Sequence, residues 1–407
     1  MKNLKKLGAL LLALVLVLSL GATAFAASDL VGDGVDGNKT ATSSSTTVTL
    51  YKELTVYNPT ATTINAPSIS YAYAIEGADG GSTITDTDGI SAVTYPGSDA
   101  TGTLTITATV TWAPTETVTA AAGGAKNTKP IVVDFTGVTF PRAGVYRYKI
   151  TETIADADYT AAGVVDGSIS NVRWLDVYVK DTNIIYGYVL MDAANDTVDS
   201  TTAKTEGFVA SGVTGGDTAD QYHTFNLTIK KSVVDDEYIK SSGHKFPFTV
   251  TFTNATVMGD VKPIVSTSGT ATLTQADAAP IASFAATAPT IADSGSVTYT
   301  GIPMGTAVSI VEENNVAGTT YAVTSSGADS NITTAELVAS GNSTTGTISI
   351  TAQMAGSEAN KTVTVTNTLA LISPTGVVLR VAPYILMLAA GIVLLALSRK
   401  RRSREEA

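Results

Sequence analysis

Through the middle of the chain, Thr, Val, Tyr and Ile recur at alternate positions in short segments, and clusters of Gly, Asp, Asn and Pro separate one segment from the next. Side chains alternate between the two faces of a strand, so this period of two reads as strand, and no apolar period of 3.6 residues persists to compete with it. The pattern predicts strands at 46–56, 69–76, 103–112, 131–140, 145–152, 172–180 and 184–191. A second series is predicted at 225–233, 246–252, 297–300, 307–312, 321–324, 347–351 and 362–367. Strands this short at this spacing predict antiparallel β-sandwiches. The expected fold class is all-β, with two immunoglobulin-like sandwiches in tandem at 46–224 and 225–371, joined near 222–227. A flexible Gly/Ser/Thr-rich lead-in is expected at 27–45.

Two stretches break the alternation. Residues 7–20 (LGALLLALVLVLSL) follow a basic start and end in Ala24-Phe25-Ala26, which predicts a secretory signal peptide over 1–26, cleaved before Ala27. Residues 381–397 (VAPYILMLAAGIVLLAL) are apolar throughout and precede Arg399, Lys400, Arg401 and Arg402. This order predicts a transmembrane helix whose C-terminus stays in the cytoplasm. The body between them is expected to be exported.

Strand phase places charges on apolar faces. Val48, Leu50, Lys52 and Leu54 share one face of the first strand, and Leu227, Ile229, Lys231 and Val233 share a face in the second half, with Lys230 pointing the other way. Tyr146, Tyr148, Ile150 and Glu152 are in phase, as are Val308, Ile310 and Glu312, leaving Glu313 opposite. On the last strand Val363, Val365 and Asn367 are in phase. Buried ammonium and carboxylate groups are costly without partners, and desolvation lowers the lysine pKa while raising that of the acid. A neutral amine is a nucleophile, and a protonated carboxyl can polarise a carboxamide and move protons. Lys, Glu and Asn in one apolar core therefore point to a single-turnover reaction. The amine attacks Asn Cγ, ammonia leaves, and an amide joins first strand to last.

Composition narrows the alternatives. The 407 residues include no Cys and only two His, His223 and His244, so thiolate chemistry and zinc fingers are excluded and no cofactor or metal is expected. Asp29, Asp33 and Asp36 resemble a piece of a calcium loop without its closing bidentate acid, and are read as part of the flexible lead-in. Of the 25 basic residues, nine lie in the two end segments, so 27–371 holds 16 basic against 34 acidic residues, net −18 (16 minus 34). Such a body repels phosphate backbones, and nucleic-acid binding is not expected. An enzyme cutting wall glycan would need paired carboxylates in a cleft, whereas the inward glutamates number one per half. No activity on an external substrate is expected.

Ile372, Ser373, Pro374, Thr375 and Gly376 stand directly before the apolar span and basic tail. Motif, span and tail over 372–407 resemble the cell-wall sorting signal of Gram-positive surface proteins, usually LPxTG, here with proline directly before threonine. The resemblance implies a sortase as partner, transfer of the Thr375 carbonyl to an amine, and final linkage to peptidoglycan at the cell surface.

The in-phase Lys, the YKITE run ending in Glu152 and the TVTVTN run ending in Asn367 resemble the streptococcal pilin isopeptide-linkage family of Cna protein B-type (CnaB) sandwiches, over most of 46–371. In the second half the resemblance implies a bond from Lys231 to Asn367 assisted by Glu312. In the first it implies Lys52 and Glu152, with Asp220 in TADQYHTF as acyl partner, shortly before the next strand, and Asn226 as competitor. It implies a structural subunit, foremost a shaft pilin, of a sortase-assembled fibre, with other subunits as partners. A fibre needs a further lysine to accept the next subunit; Lys180, in WLDVYVK, and Lys204 are the candidates. The competing expectation is a wall-anchored adhesin or minor pilin that grips a host or cell-surface ligand.

Overall fold

The computed structural model describes residues 45–80, 83–85, 91–181, 183–192, 205–210, 217–254, 261–269, 272–273, 286–287, 289–313, 321–327, 332–334, 338–340, 343–350, 360–369 and 387–394. The leader, the Asp29, Asp33 and Asp36 run, Lys204 and the 372–376 motif lie outside them.

The chain is all-β, arranged as layered sheets around two apolar cores. The first core lies between two sheets. One contains Thr47–Tyr57, flanked antiparallel by Ala125–Thr139 and parallel by Gly207–Phe208 and the start of Asp220–Val234. The other runs through Ile184–Met191, Val172–Asp181, Gly144–Thr153, Ile69–Gly77 and Thr109–Trp112. Val48, Leu50, Leu54 and Val56 from one sheet and Tyr71, Trp112, Tyr146 and Ile150 from the other are buried together. Burial of each such side chain contributes about 1.5–3 kcal/mol. Around the second core, Asp220–Val234 pairs with Ser296–Pro303 and, in parallel, with Asn360–Leu369. The facing sheet holds Lys245–Thr253, Ala307–Glu313 and Ser343–Ile350.

Three features depart from the expected pattern. Asp220–Val234 is one continuous strand shared by both cores, so the expected joint at 222–227 is replaced by extended backbone, and Asp220 begins this strand instead of preceding it. Alternation detects buried faces, and here the buried face changes along a single strand, which looks in sequence like an interruption. Two short helices, Asp156–Ala162 and Glu237–Ser242, each end on a glycine in the left-handed conformation, Gly163 and Gly243.

A polar knot locks the two cores together. Asn58 Nδ2 donates to Thr224 Oγ1 and Asn226 Oδ1, each at 2.9 Å, and Asn226 Nδ2 donates to Asn58 Oδ1 at 3.0 Å and to Asn360 Oδ1 at 2.9 Å. Beside it Tyr57 stacks on His223 with ring centroids 4.4 Å apart. Gly301, at φ +79°, leaves room for Ile64, whose Cβ would lie 2.8 Å from any Cβ added there.

Residues 387–394 form a helix on which Met387, Leu388, Ile392, Val393 and Leu394 are exposed. No helix among the described residues is long and apolar enough to cross a membrane.

Candidate functional site

The first core closes around Lys52. Its strand is buried at Val48, Leu50, Lys52, Leu54 and Val56, so the lysine enters on the apolar face. Leu54 is in register with Asp220 on the adjacent parallel strand, which puts Lys52 and Asp220 diagonally across one ladder. Glu152 reaches them from the opposite sheet. Lys52 Nζ donates to Glu152 Oε1 at 2.7 Å and lies 3.0 Å from Asp220 Oδ2, with its ammonium 4.1 Å from the centroid of Tyr71. All three charged residues are buried, at 2%, 4% and 3% exposure for Lys52, Glu152 and Asp220. Burial pushes the Glu152 carboxyl up, and the neighbouring Lys52 only partly offsets this.

The second core repeats the geometry. Val233 is in register with Asn367 as Leu54 is with Asp220, so in each core the acyl residue lies opposite the position two beyond the lysine. Glu312 comes from the facing sheet. Lys231 Nζ donates to Glu312 Oε2 at 3.1 Å, and Asn367 Nδ2 donates to Glu312 Oε1 at 2.6 Å. The glutamate thus bridges amine and carboxamide. The ammonium lies 4.6 Å from the Phe246 ring centroid, and Asn367 is fully buried, its Oδ1 meeting no hydrogen-bond partner among the described residues. Burial pushes the Lys231 amine down to about 8 against the opposing pull of Glu312, and pushes the Glu312 carboxyl up against that of Lys231. Both shifts favour the neutral forms, amine and acid, that amide formation requires.

Several further groups surround these sites, among them Tyr73, which shares the buried face of its strand with Ile69 and Tyr71. Tyr73 donates its hydroxyl to Glu152 Oε2 at 2.5 Å. Tyr159 donates to Asp220 Oδ2 at 3.2 Å, and the backbone N–H of Gly167 to Asp220 Oδ1 at 2.9 Å. Glu53, on the other face of the Lys52 strand, is also buried, 3.3 Å from Lys126 Nζ and accepting from Ala210 N at 3.2 Å. Arg147 and Asp176 form a buried two-point ion pair at 2.8 and 2.9 Å. Asn226, the competing acyl residue, has its carboxamide engaged with Asn58, Asn360 and the Gly301 N–H. Lys180 is exposed at the end of Val172–Asp181.

A family model described as a domain of unknown function, DUF7601, matches residues 225–369. No curated protein matches the chain. Among solved structures, the chain is similar to the major pilin of Streptococcus pyogenes at 21% identity and a TM-score of 0.40, over 80% of this chain and 99% of that one. The T-13 major pilin of the same species matches at 18% identity and a TM-score of 0.37, over 80% and 100%. A Mobiluncus mulieris adhesin described as containing intramolecular disulfide, isopeptide and ester cross-links matches at 12% identity and a TM-score of 0.26, over 80% and 99%.

Proposed function

We propose that the chain is a structural subunit, foremost a shaft pilin, of a sortase-assembled and wall-anchored surface fibre, and that each core closes itself with an amide. In the first, Lys52 joins Asp220 with Glu152 as proton carrier. In the second, Lys231 joins Asn367 with Glu312 in that role. The observation that carries this reading is the repeated geometry: a buried lysine, an acyl side chain on a parallel strand opposite the residue two positions beyond that lysine, and a glutamate from the facing sheet. An ion pair needed only for stability has no reason to hold a carboxamide against the same glutamate in a dry core.

At Asn367 the Lys231 lone pair adds to Cγ, the nitrogen passes a proton to Glu312 Oε2 while Oε1 gives one to Nδ2, the bond from Cγ to Nδ2 breaks, and ammonia leaves. Contact between the groups supplies the effective concentration. Each bond then ties a strand to its parallel neighbour, so tension between those strands is carried covalently. The fibre role draws on the apolar span and the motif at Thr375, with Lys180 and Lys204 as the two candidates for the one lysine that accepts the next subunit.

Intact mass of the exported stretch 27–371 tests the bonds. Loss of ammonia and of water, about 17 and 18 Da, predicts a combined deficit of about 35 Da. An undiminished mass overturns the reading. Boiled denaturing gels of wall extracts test the assembly: a high-mass ladder is expected, and a single wall-linked monomer would favour the adhesin instead.

A further inference from the structure

Tyr159 and Gly167 stand outside the strands that carry the three reacting groups of the first core. Both belong to the excursion between Thr153 and Val172, formed by the Asp156–Ala162 helix, the left-handed Gly163 and the short strand Val164–Val165. Tyr159 and Ala162 are the buried pair of the helix, three residues apart and so on one face. Val164 and Val165 pair antiparallel with Tyr222 and Gln221, which brings the following turn onto Asp220. There Gly167 N–H meets Oδ1 at 2.9 Å and the Tyr159 hydroxyl meets Oδ2 at 3.2 Å. A Cβ at Gly167 would lie 2.7 Å from the carbonyl carbon of Ala219, so the approach needs glycine.

We infer that Tyr159 and the Gly167 N–H are the acyl-activating half of the first site, two fixed donors that present the Asp220 carboxyl to Lys52 and receive the charge that develops on its oxygens. This rests on the amide reading above and extends it to groups outside the Lys, Glu and Asp trio. In the reacting state the amine is neutral and Asp220 is protonated on Oδ2. The Lys52 lone pair forms the C–N bond at Cγ while the carbonyl π pair moves to Oδ1, against the Gly167 N–H. The nitrogen gives one proton to Glu152 Oε1, 2.7 Å away. That proton passes on to the Oδ2 hydroxyl, the bond from Cγ to Oδ2 breaks, water leaves, and the carbonyl re-forms at Oδ1. Glu152 ends with the protons it began with. Tyr159 donates throughout and keeps its own proton, because burial and the adjacent Asp220 push its phenol well above the ordinary range. Preorganised donors of this kind cost no reorganisation as charge develops. Asn367 has no such pair: its Oδ1 meets no partner among the described residues.

The test uses the full chain made by cell-free translation, stopped and sampled over time, with each linkage followed as its own cross-linked peptide. The second linkage is an internal clock. Both tryptophans of the chain, Trp112 and Trp174, lie in the first half, so their fluorescence reports folding there alone. Tyr159→Phe is expected to keep wild-type fluorescence and the wild-type rate at Lys231, and to slow the Lys52 linkage about 10-fold, as loss of one hydrogen bond to the leaving oxygen Oδ2 does. A wild-type rate at Lys52 in that variant overturns the role of Tyr159. Should its fluorescence shift, glycolate incorporated at position 167, which replaces the N–H by oxygen, is expected to slow the same linkage, and an unchanged rate overturns the inference. A wild-type chain that never links Lys52 overturns the first-site amide and this inference together, a failure read on a different protein.

Discussion

Asp220 and Lys231 occupy one unbroken strand, 11 positions apart (231 minus 220), and face opposite ways, Asp220 into the first core and Lys231 into the second. The buried set shifts from even numbers, Asp220 and Tyr222, to odd ones, Phe225, Leu227, Ile229, Lys231 and Val233. Where the faces exchange, the pairing with Ser296–Pro303 shifts register between Phe225 and Leu227. Under the proposed chemistry, load passes from Asn367 to Lys231, along this strand to Asp220, and across to Lys52. The loops lie off that path.

Glu152→Ala and Glu312→Ala are expected to act independently, each restoring only its own mass, about 18 Da for the first and about 17 Da for the second. The closed loops are 168 residues (220 minus 52) and 136 residues (367 minus 231). Loops of that size contribute about 5 kcal/mol each on the chain-entropy account. Each variant should therefore lose about 10–20 °C in the melting temperature of its own half. Scanning calorimetry with parallel mass measurement checks both effects.

Alternation made Lys52, Lys231, Glu152, Glu312 and Asn367 legible, because one charged residue in phase with apolar neighbours stands out in any strand that faces a core. It could not show Glu53, since the second face of that strand is covered by the distant Thr205–Ala210 segment, and such coverage leaves no period in the sequence. Arg147 and Asp176 stand directly opposite each other on neighbouring strands, a pairing that no period within either strand displays. Tyr159 lies on a helix too short to display a period, and only the Gly163 stop marks it. Of the shared strand, alternation predicts only 225–233, with a joint at 222–227, because the exchange of faces disturbs the period of two.

The knot between the cores should be costly to open. Asn226→Ala removes partners from Asn58, Asn360 and the Gly301 N–H in a buried setting. Buried polar groups left unpaired cost about 1–3 kcal/mol each. A loss of about 2–4 kcal/mol in urea unfolding is expected, together with a broader spread of angle between the halves in solution scattering. Neither linkage should change, because Asn226 contacts neither lysine site.

Exchanging the acyl group in the second core should fail. In Asn367→Asp an oxygen replaces the Nδ2 that donates to Glu312 Oε1 at 2.6 Å, and two carboxyl groups must share a proton there. The proton then held between the acids is unavailable for shuttling, so the Lys231 linkage is expected to form at least about 100-fold more slowly. Cross-linked peptide yield over time reads this directly. Asn367→Asp linking as fast as wild type would show that Glu312 needs no contact with the leaving group.

Stability against pH should separate linked from unlinked protein. In Asn367→Ala the amine of Lys231 remains free and buried, with its folded pKa near about 8 against an ordinary value of 10.5. Between these values the unfolded chain binds more protons than the folded one, so stability rises with pH across that window. A shift of this size corresponds to about 3 kcal/mol at most. Glu312, whose carboxyl is raised above 4.5, acts with the opposite sign: the folded chain holds its proton longer, and stability falls as pH climbs through that lower region. In the wild type the proposed amide carries no charge, so the rise above about pH 8 should vanish. Urea midpoints of the second half from pH 7.5 to 10.5, followed by circular dichroism on both proteins, give the comparison. Parallel curves would mean that Lys231 still titrates in the mature chain and has formed no amide.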